Sequence, residues 1–210
     1  MGSQRRRFVI LFGFVCMVFI FPRISSARFQ EGVGLYGGFH RSSESSTDSI
    51  YGSVPMFGAQ YKLAVSTHTG LAASIGVLRK NGDPYNDNTF IRTDSSSSLT
   101  FVPAEISYII NLISNLPETE RRIHSLYIGI GVNHIWTREQ APGSSLAKGA
   151  AFGSQLLAGT TFSISKVFVL GLEFKYLRNR PLMKLDSGRT YRVQLDGTQA
   201  QLKFVWHFGR

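Results

Sequence analysis

The chain has 210 residues, 43% of them hydrophobic and 12% aromatic, with a formal net charge of +10 and a single cysteine. That length suits one domain. No run beyond the N-terminal leader approaches a transmembrane helix, and the basic excess is too dispersed to suggest a nucleic-acid binder.

Arg5, Arg6 and Arg7 precede a continuous apolar run, Phe8 to Pro22, which is followed by Arg23 and the small residues Ser25, Ser26 and Ala27. A basic head, a short apolar centre and small residues before a cut are the parts of a secretory signal peptide. The run of 15 residues falls short of the roughly 20 that span a bilayer as a helix. Cleavage after Ala27 divides the chain into a signal peptide, 1–27, and a mature domain, 28–210. It removes four of the 23 basic residues and none of the 13 acidic ones, so the net charge falls from +10 to +6. Cys16 leaves with the leader, and the Gly13-Phe14-Val15 before it lacks the Leu-Ala-Gly-like pattern of a lipoprotein signal. The mature chain then has neither a disulfide nor a thiolate metal site.

Eight segments of period-two alternation follow. The first, Val33 to His40, sets Val33, Leu35, Gly37 and Phe39 against Gly34, Tyr36 and Gly38. After a Ser-rich loop the second, near Ile50 to Val65, sets Phe57, Ala59, Tyr61, Leu63 and Val65 against Gly58, Gln60, Lys62 and Ala64. Pro55 predicts a bulge or frayed end there. A short turn, Ser66 to Thr69, leads to the third strand, Gly70 to Leu78, with Leu71, Ala73, Ile75 and Val77 on one face. Arg79 to Ser98 is rich in turn formers and reads as a long loop.

The fourth strand, Leu99 to Asn111, places Val102, Ala104, Ile106, Tyr108 and Ile110 opposite Glu105 and Ser107, with Pro103 as a second exception to ladder pairing. A polar connection, Leu112 to His124, precedes the fifth strand, Ser125 to Thr137, where Leu126, Ile128, Ile130 and Val132 alternate with Tyr127, Gly129, Gly131 and Asn133. Arg138 to Gly149 reads as a loop. Strands six and seven form a hairpin within Gly153 to Tyr176 that turns at Ser163 to Lys166. Leu156, Ala158, Thr160 and Phe162, then Phe168, Leu170, Leu172, Phe174 and Tyr176, share its apolar face; Gln155, Gly159, Gly171, Glu173 and Lys175 lie opposite. Asn179 to Asp196 is a basic connection. The last strand, Thr198 to Phe208, sets Ala200, Leu202, Phe204, Trp206 and Phe208 against Gln199, Gln201, Lys203 and His207.

One face of these strands is bulky and aromatic-tipped, whereas the other is charged or small. This is the inside-out pattern of a barrel whose outer wall meets lipid. Backbone groups in lipid must all be paired, which a sheet achieves by closing on itself. The expected fold is therefore all-β: an eight-stranded antiparallel up-and-down transmembrane β-barrel, preceded by a cleavable signal peptide. Connections after strands one, three, five and seven are long and those after two and six very short, which puts both termini on the periplasmic side. Leu112 to His124 departs from that rule.

Inward glycines make room for inward Lys62, Glu105, Glu173, Lys175 and Lys203, read as a packed lumen ion-pair network. The competing reading is a narrow ion path lined by the same groups. Tyr61, Phe162, Tyr176, Trp206 and Phe208 near strand ends suit membrane-interface girdles. Arg178, Arg180, Lys184, Arg189 and Arg192 cluster in the last loop as candidate contacts to lipopolysaccharide phosphates. Neither a Gly-rich phosphate loop nor a clustered metal spacing is present, so neither cofactor nor metal is expected. His40 and His134, with Ser and Glu nearby, are the candidates for a hydrolytic site.

Val102-Pro103-Ala104-Glu105-Ile106, Tyr127-Ile128-Gly129-Ile130-Gly131-Val132 and Gly171-Leu172-Glu173-Phe174-Lys175-Tyr176, together with the leader, carry a resemblance across residues 30 to 208. The mature chain resembles the small eight-stranded outer-membrane β-barrel proteins of the OmpA/OmpX and opacity-protein type. The resemblance implies a monomer in the outer membrane, inserted by the barrel-assembly machinery. It also implies contacts to outer-membrane lipid and lipopolysaccharide, a structural or surface role toward a host or surface ligand, and no chemistry. The family typically ends on an aromatic residue, whereas Gly209 and Arg210 follow Phe208 here. Lipid A deacylases and palmitoyltransferases are similar barrels, and a lipid A-modifying enzyme is the first alternative; their catalytic patterns do not match residue by residue. A secreted lipocalin-like binder is the second alternative. It needs an apolar cavity, which the glycines and charges assigned inward oppose.

Overall fold

The computed structural model describes residues 31–44, 48, 51–66, 68–82, 97–113, 125–140, 146–165 and 167–208. The expected leader, 1–27, lies outside them. Among the described residues ten strands follow one another: β1 (Glu31–Ser42), β2 (Ser53–Ala64), β3 (Thr69–Gly82), β4 (Ser97–Ile113), β5 (Ser125–Gln140), β6 (Ala147–Ser163), β7 (Phe168–Arg178), β8 (Leu182–Leu185), β9 (Thr190–Arg192) and β10 (Gly197–Phe208).

Strands β1 to β7 pair antiparallel in sequence order, and β10 closes the ring between β7 and β1. Eight strands thus form the wall. The short β8 and β9 stand above it as a hairpin on the first part of β6. Glu31 lies opposite Phe208, so the wall begins and ends at the same rim, the rim of the two short turns.

Those two turns are built alike. Val65 and Ser66 donate their N–H groups to the Thr69 carbonyl, and Ile164 and Ser165 donate theirs to the Phe168 carbonyl. The Ser66 and Ser165 hydroxyls accept from the Thr69 and Phe168 amides, each at 3.1 Å. A serine hydroxyl supplies the acceptor a tight reversal needs.

Side-chain parity follows the expectation. Leu35, Ile130, Leu156, Phe174 and Leu202 are each more than half exposed on the outside, whereas Glu173 is 1% exposed within. Apolar surface of this extent all round a wall is unstable in water and suited to hydrocarbon. Glycines set the bore: a Cβ on Gly58 or Gly76 would come within 2.4 Å of the Tyr36 hydroxyl. Only glycine there leaves room for the Tyr36 ring against β2 and β3.

Several boundaries differ from the sequence expectation. Both ends of the Arg138 to Gly149 segment are strand, because β5 runs to Gln140 and β6 starts at Ala147. Alternation continues there, but its outward members are Arg138 and Lys148, which by composition look like loop. The Asn179 to Asp196 connection contains β8 and β9. Its break from β7 falls at Asn179-Arg180-Pro181, where proline has no N–H to continue the ladder.

Pro55 pairs in register with Phe39 without a bulge, while pairing to β3 begins only at Met56. Beside Pro103 the β3–β4 ladder lapses between Ile75 and Leu78 and then resumes in register. Leu112 and Ile113 belong to β4, whose pairing shifts between Asn111 and Ile113; residues 114–124 of the expected connection lie outside the described residues.

Candidate functional site

The interior is stacked in three layers, and β4 alone samples them: Leu99 and Phe101 point inward near one rim, then Glu105 and Ser107, then Ile109 toward the other. The middle layer gathers four of the five expected lumen charges into direct ion pairs. Lys175 contacts Glu105 and lies 3.5 Å from Glu173, and Lys203 contacts the same Glu173 oxygen. Hydroxyl donors add to the ion pairs, Ser74 to Glu105 Oε2 at 2.9 Å and Tyr127 to Glu173 Oε2 at 2.8 Å, while Glu105 Oε1 is buried without a hydrogen bond among the described residues. Lys203 also donates to Gln60 at 2.8 Å.

Lys62 makes no ion pair within 4 Å among the described residues and instead sits 4.4 Å from the Tyr127 ring centroid. A cation over an aromatic face is an alternative to a carboxylate. Three lysines thus share two glutamates, in a closed space where each charge needs a partner.

The layers on either side add apolar packing to the charges and glycines expected inward. Toward the rim opposite the two short turns, Tyr36, Tyr51, Val54, Met56, Leu78, Leu99, Phe101, Ile135 and Leu195 form one buried apolar cluster. Toward the other rim Ile109, Tyr127 and Leu157 pack together against Ala72. Leu195 arrives from the connection after β9, so the chain covers its own mouth.

A clasp holds that cover. The Asp196 carboxylate accepts from the Asn179 amide at 2.7 Å and from Arg180 at 2.9 and 3.1 Å. Gln194 donates to it at 3.3 Å. Burial pushes the Asp196 pKa up, but the Arg180, Asn179 and Gln194 hydrogen bonds together outweigh it and hold the group below the ordinary aspartate value. The Leu195 amide donates to the Asn179 carbonyl at 2.9 Å, fixing the inserted residue. Beside this clasp, Glu139 accepts from Tyr51 at 2.7 Å and from Tyr191 at 2.6 Å, tying the β1–β2 connection and β9 to β5.

Sequence reasoning missed Leu195, Asp196 and Glu139. The one available signal was the apolar Val193 and Leu195 within an otherwise basic stretch.

The other expected site residues are placed as follows. Trp206, Phe208, Phe162 and Tyr61 lie toward the rim of the short turns, and Tyr176 lies toward the opposite one. Trp206 and Phe208 pack edge to face at 5.8 Å, and Phe168, which was not singled out, stacks on Phe204 at 5.2 Å. Of the five candidate lipopolysaccharide contacts, Arg180 is engaged by Asp196. Arg178, Lys184, Arg189 and Arg192 are exposed. His40 points inward, edge-on to Phe101, whereas His134 faces outward between Trp136 and Phe152. The wall separates the two histidines, so they do not form one site. Among the described residues no His, Cys, Asp and Glu group has the geometry of a metal site.

No protein-family model matches the sequence, and no curated protein matches it either. Solved structures do match. The outer membrane protein OprG from Pseudomonas aeruginosa superposes with a TM-score of 0.61 at 13% identity, over 88% of this chain and 97% of that one. A major outer membrane protein from Thermus thermophilus gives 0.54 at 10% identity, over 86% and 99%. The outer membrane protein AlkL, solved in DMPC lipid bilayers, gives 0.54 at 12% identity, over 90% and 96%. With a closed eight-stranded wall, apolar outside and polar at its centre, the chain has the fold of the small outer-membrane β-barrel proteins.

Proposed function

We propose that this chain is a non-enzymatic barrel of the bacterial outer membrane, closed to ions, that works through its extracellular surface. The three-layer packing of the interior carries this reading. Apolar clusters lie on both sides of the ion pairs, and Leu195 sits in the outer cluster with the Asp196 clasp beside it. An eight-stranded wall encloses a space that side chains can fill. Charges packed this way act as internal struts, each neutralising the next, rather than as a conducting file.

Insertion by the barrel-assembly machinery and a monomeric state belong to the same reading, because one chain closes the ring and leaves no wall edge to pair elsewhere. Lipid and lipopolysaccharide are the partners of the wall, and a host or surface ligand is the partner class of the extracellular rim. Purified protein in planar bilayers is expected to give no steady conductance. Steady single-channel steps from pure protein would overturn the closed lumen.

A further inference from the structure

Three cations stand side by side on the outer face of the wall where it rises past its apolar belt. Arg138 on β5 lies directly opposite Lys148 on β6, and Lys148 lies directly opposite Lys184 on β8. All three are exposed. Cross-strand partners in register hold their Cβ atoms about 5 Å apart, and like charges so placed repel. None of the three is in a salt bridge among the described residues, whereas Arg41 is paired with Asp48 and Arg180 with Asp196. Such a row, unpaired among the described residues, is suited to an anion from outside the chain.

The row beneath indicates what carries that anion. Two residues toward the membrane on each strand, Trp136 lies opposite Ala150 and Ala150 opposite Leu182. Trp136 and Leu182 are exposed and the alanine between them is small, so the outer face has a shallow apolar trough under the cations. One residue pair further down, Phe152 is 82% exposed. Cations above an apolar trough, about 7 Å apart along the strand, match an anionic headgroup joined to acyl chains.

We infer that Arg138, Lys148 and Lys184 bind the phosphate of a phosphorylated outer-leaflet lipid of the lipid A type, whose acyl chain lies along Ala150 between Trp136 and Leu182. Arg192, opposite Leu182 on β9, flanks the same trough. This site rests on the reading of the wall as lipid-facing; of the five expected phosphate contacts it keeps Lys184, with Arg192 beside it, and adds Arg138 and Lys148 from the wall. Charge-assisted hydrogen bonds from several donors to one phosphate give such a site its selectivity.

The test is native mass spectrometry of the detergent-solubilised protein after incubation with diphosphoryl lipid A or its dephosphorylated form. The comparison is between wild type, the R138Q/K148Q/K184Q triple variant and Arg189→Gln as a control at the hairpin tip. Retention of diphosphoryl lipid A is expected to fall about fivefold for each cation removed, with Arg189→Gln unchanged and dephosphorylated lipid A held weakly by all. Lys148→Gln alone, at the centre of the row, carries the test if the triple variant does not fold, and should lower retention about fivefold. Equal retention by wild type and the charge variants, or equal retention of both lipids by wild type, overturns the site. A variant that loses the lipid while keeping heat-modifiable migration leaves the barrel reading intact; a wild type without heat-modifiable migration removes the barrel reading instead.

Discussion

Glu173→Ala is expected to destabilise the barrel by roughly 3–5 kcal/mol, because removing one partner strands buried charge. Glu173 is the partner of Lys203, stands 3.5 Å from Lys175 and accepts from Tyr127. Without it Lys203 keeps only Gln60, and Lys175 keeps Glu105. Lys203→Met in the same background removes the stranded charge, so the double variant should recover a substantial part of the loss, with a coupling of roughly 2 kcal/mol. Urea unfolding of the protein refolded into lipid vesicles measures these two variants and Lys203→Met alone, which closes the cycle. A single variant within about 0.5 kcal/mol of wild type would mean that the charges are solvated and the central layer is open to water.

The second large effect is on the outside. Ile130→Arg puts a charge in the middle of the outward run from Leu126 to Trp136, at a position 60% exposed on the wall. In hydrocarbon this costs roughly 2–4 kcal/mol at the midplane and about 0–1 near an interface, so Leu126→Arg at the start of β5 should be far milder. The same unfolding experiment reads both. On a wall facing water the two substitutions would be equally harmless, since exposed arginines on a solvated sheet change stability little.

The wall was legible because its signal is local. Every second residue of Leu170-Gly171-Leu172-Glu173-Phe174-Lys175 switches character, and a period of two leaves no freedom in which face each residue takes. From that parity the inward Lys62, Glu105, Glu173, Lys175 and Lys203 could be named without coordinates. Which lysine meets which glutamate could not, because the pairs lie on different strands and depend on the stagger of the whole ring.

The apolar upper lumen was illegible for a different reason. Met56, Leu78, Phe101 and Ile135 point inward beside outward Phe57, Val77, Val102 and Trp136, so there the contrast between the two faces weakens. Leu195 gave even less, since its burial depends on the Asp196 clasp, a tertiary arrangement of a basic segment with no period of its own. The cation row was hidden because register, rather than sequence distance, joins Arg138, Lys148 and Lys184.

Accessibility of spin labels on outward positions tests the central claim most directly. The single cysteine, Cys16, lies in the expected leader, so labels can be introduced one at a time by Ile130→Cys, Leu156→Cys and Leu202→Cys in the mature domain. In lipid bilayers these labels should relax with oxygen and be shielded from a water-soluble nickel chelate, whereas a label at Arg189 should meet the chelate freely. Chelate access at Ile130, Leu156 and Leu202 equal to that at Arg189 would mean that the apolar wall stands in water, and would contradict the membrane barrel.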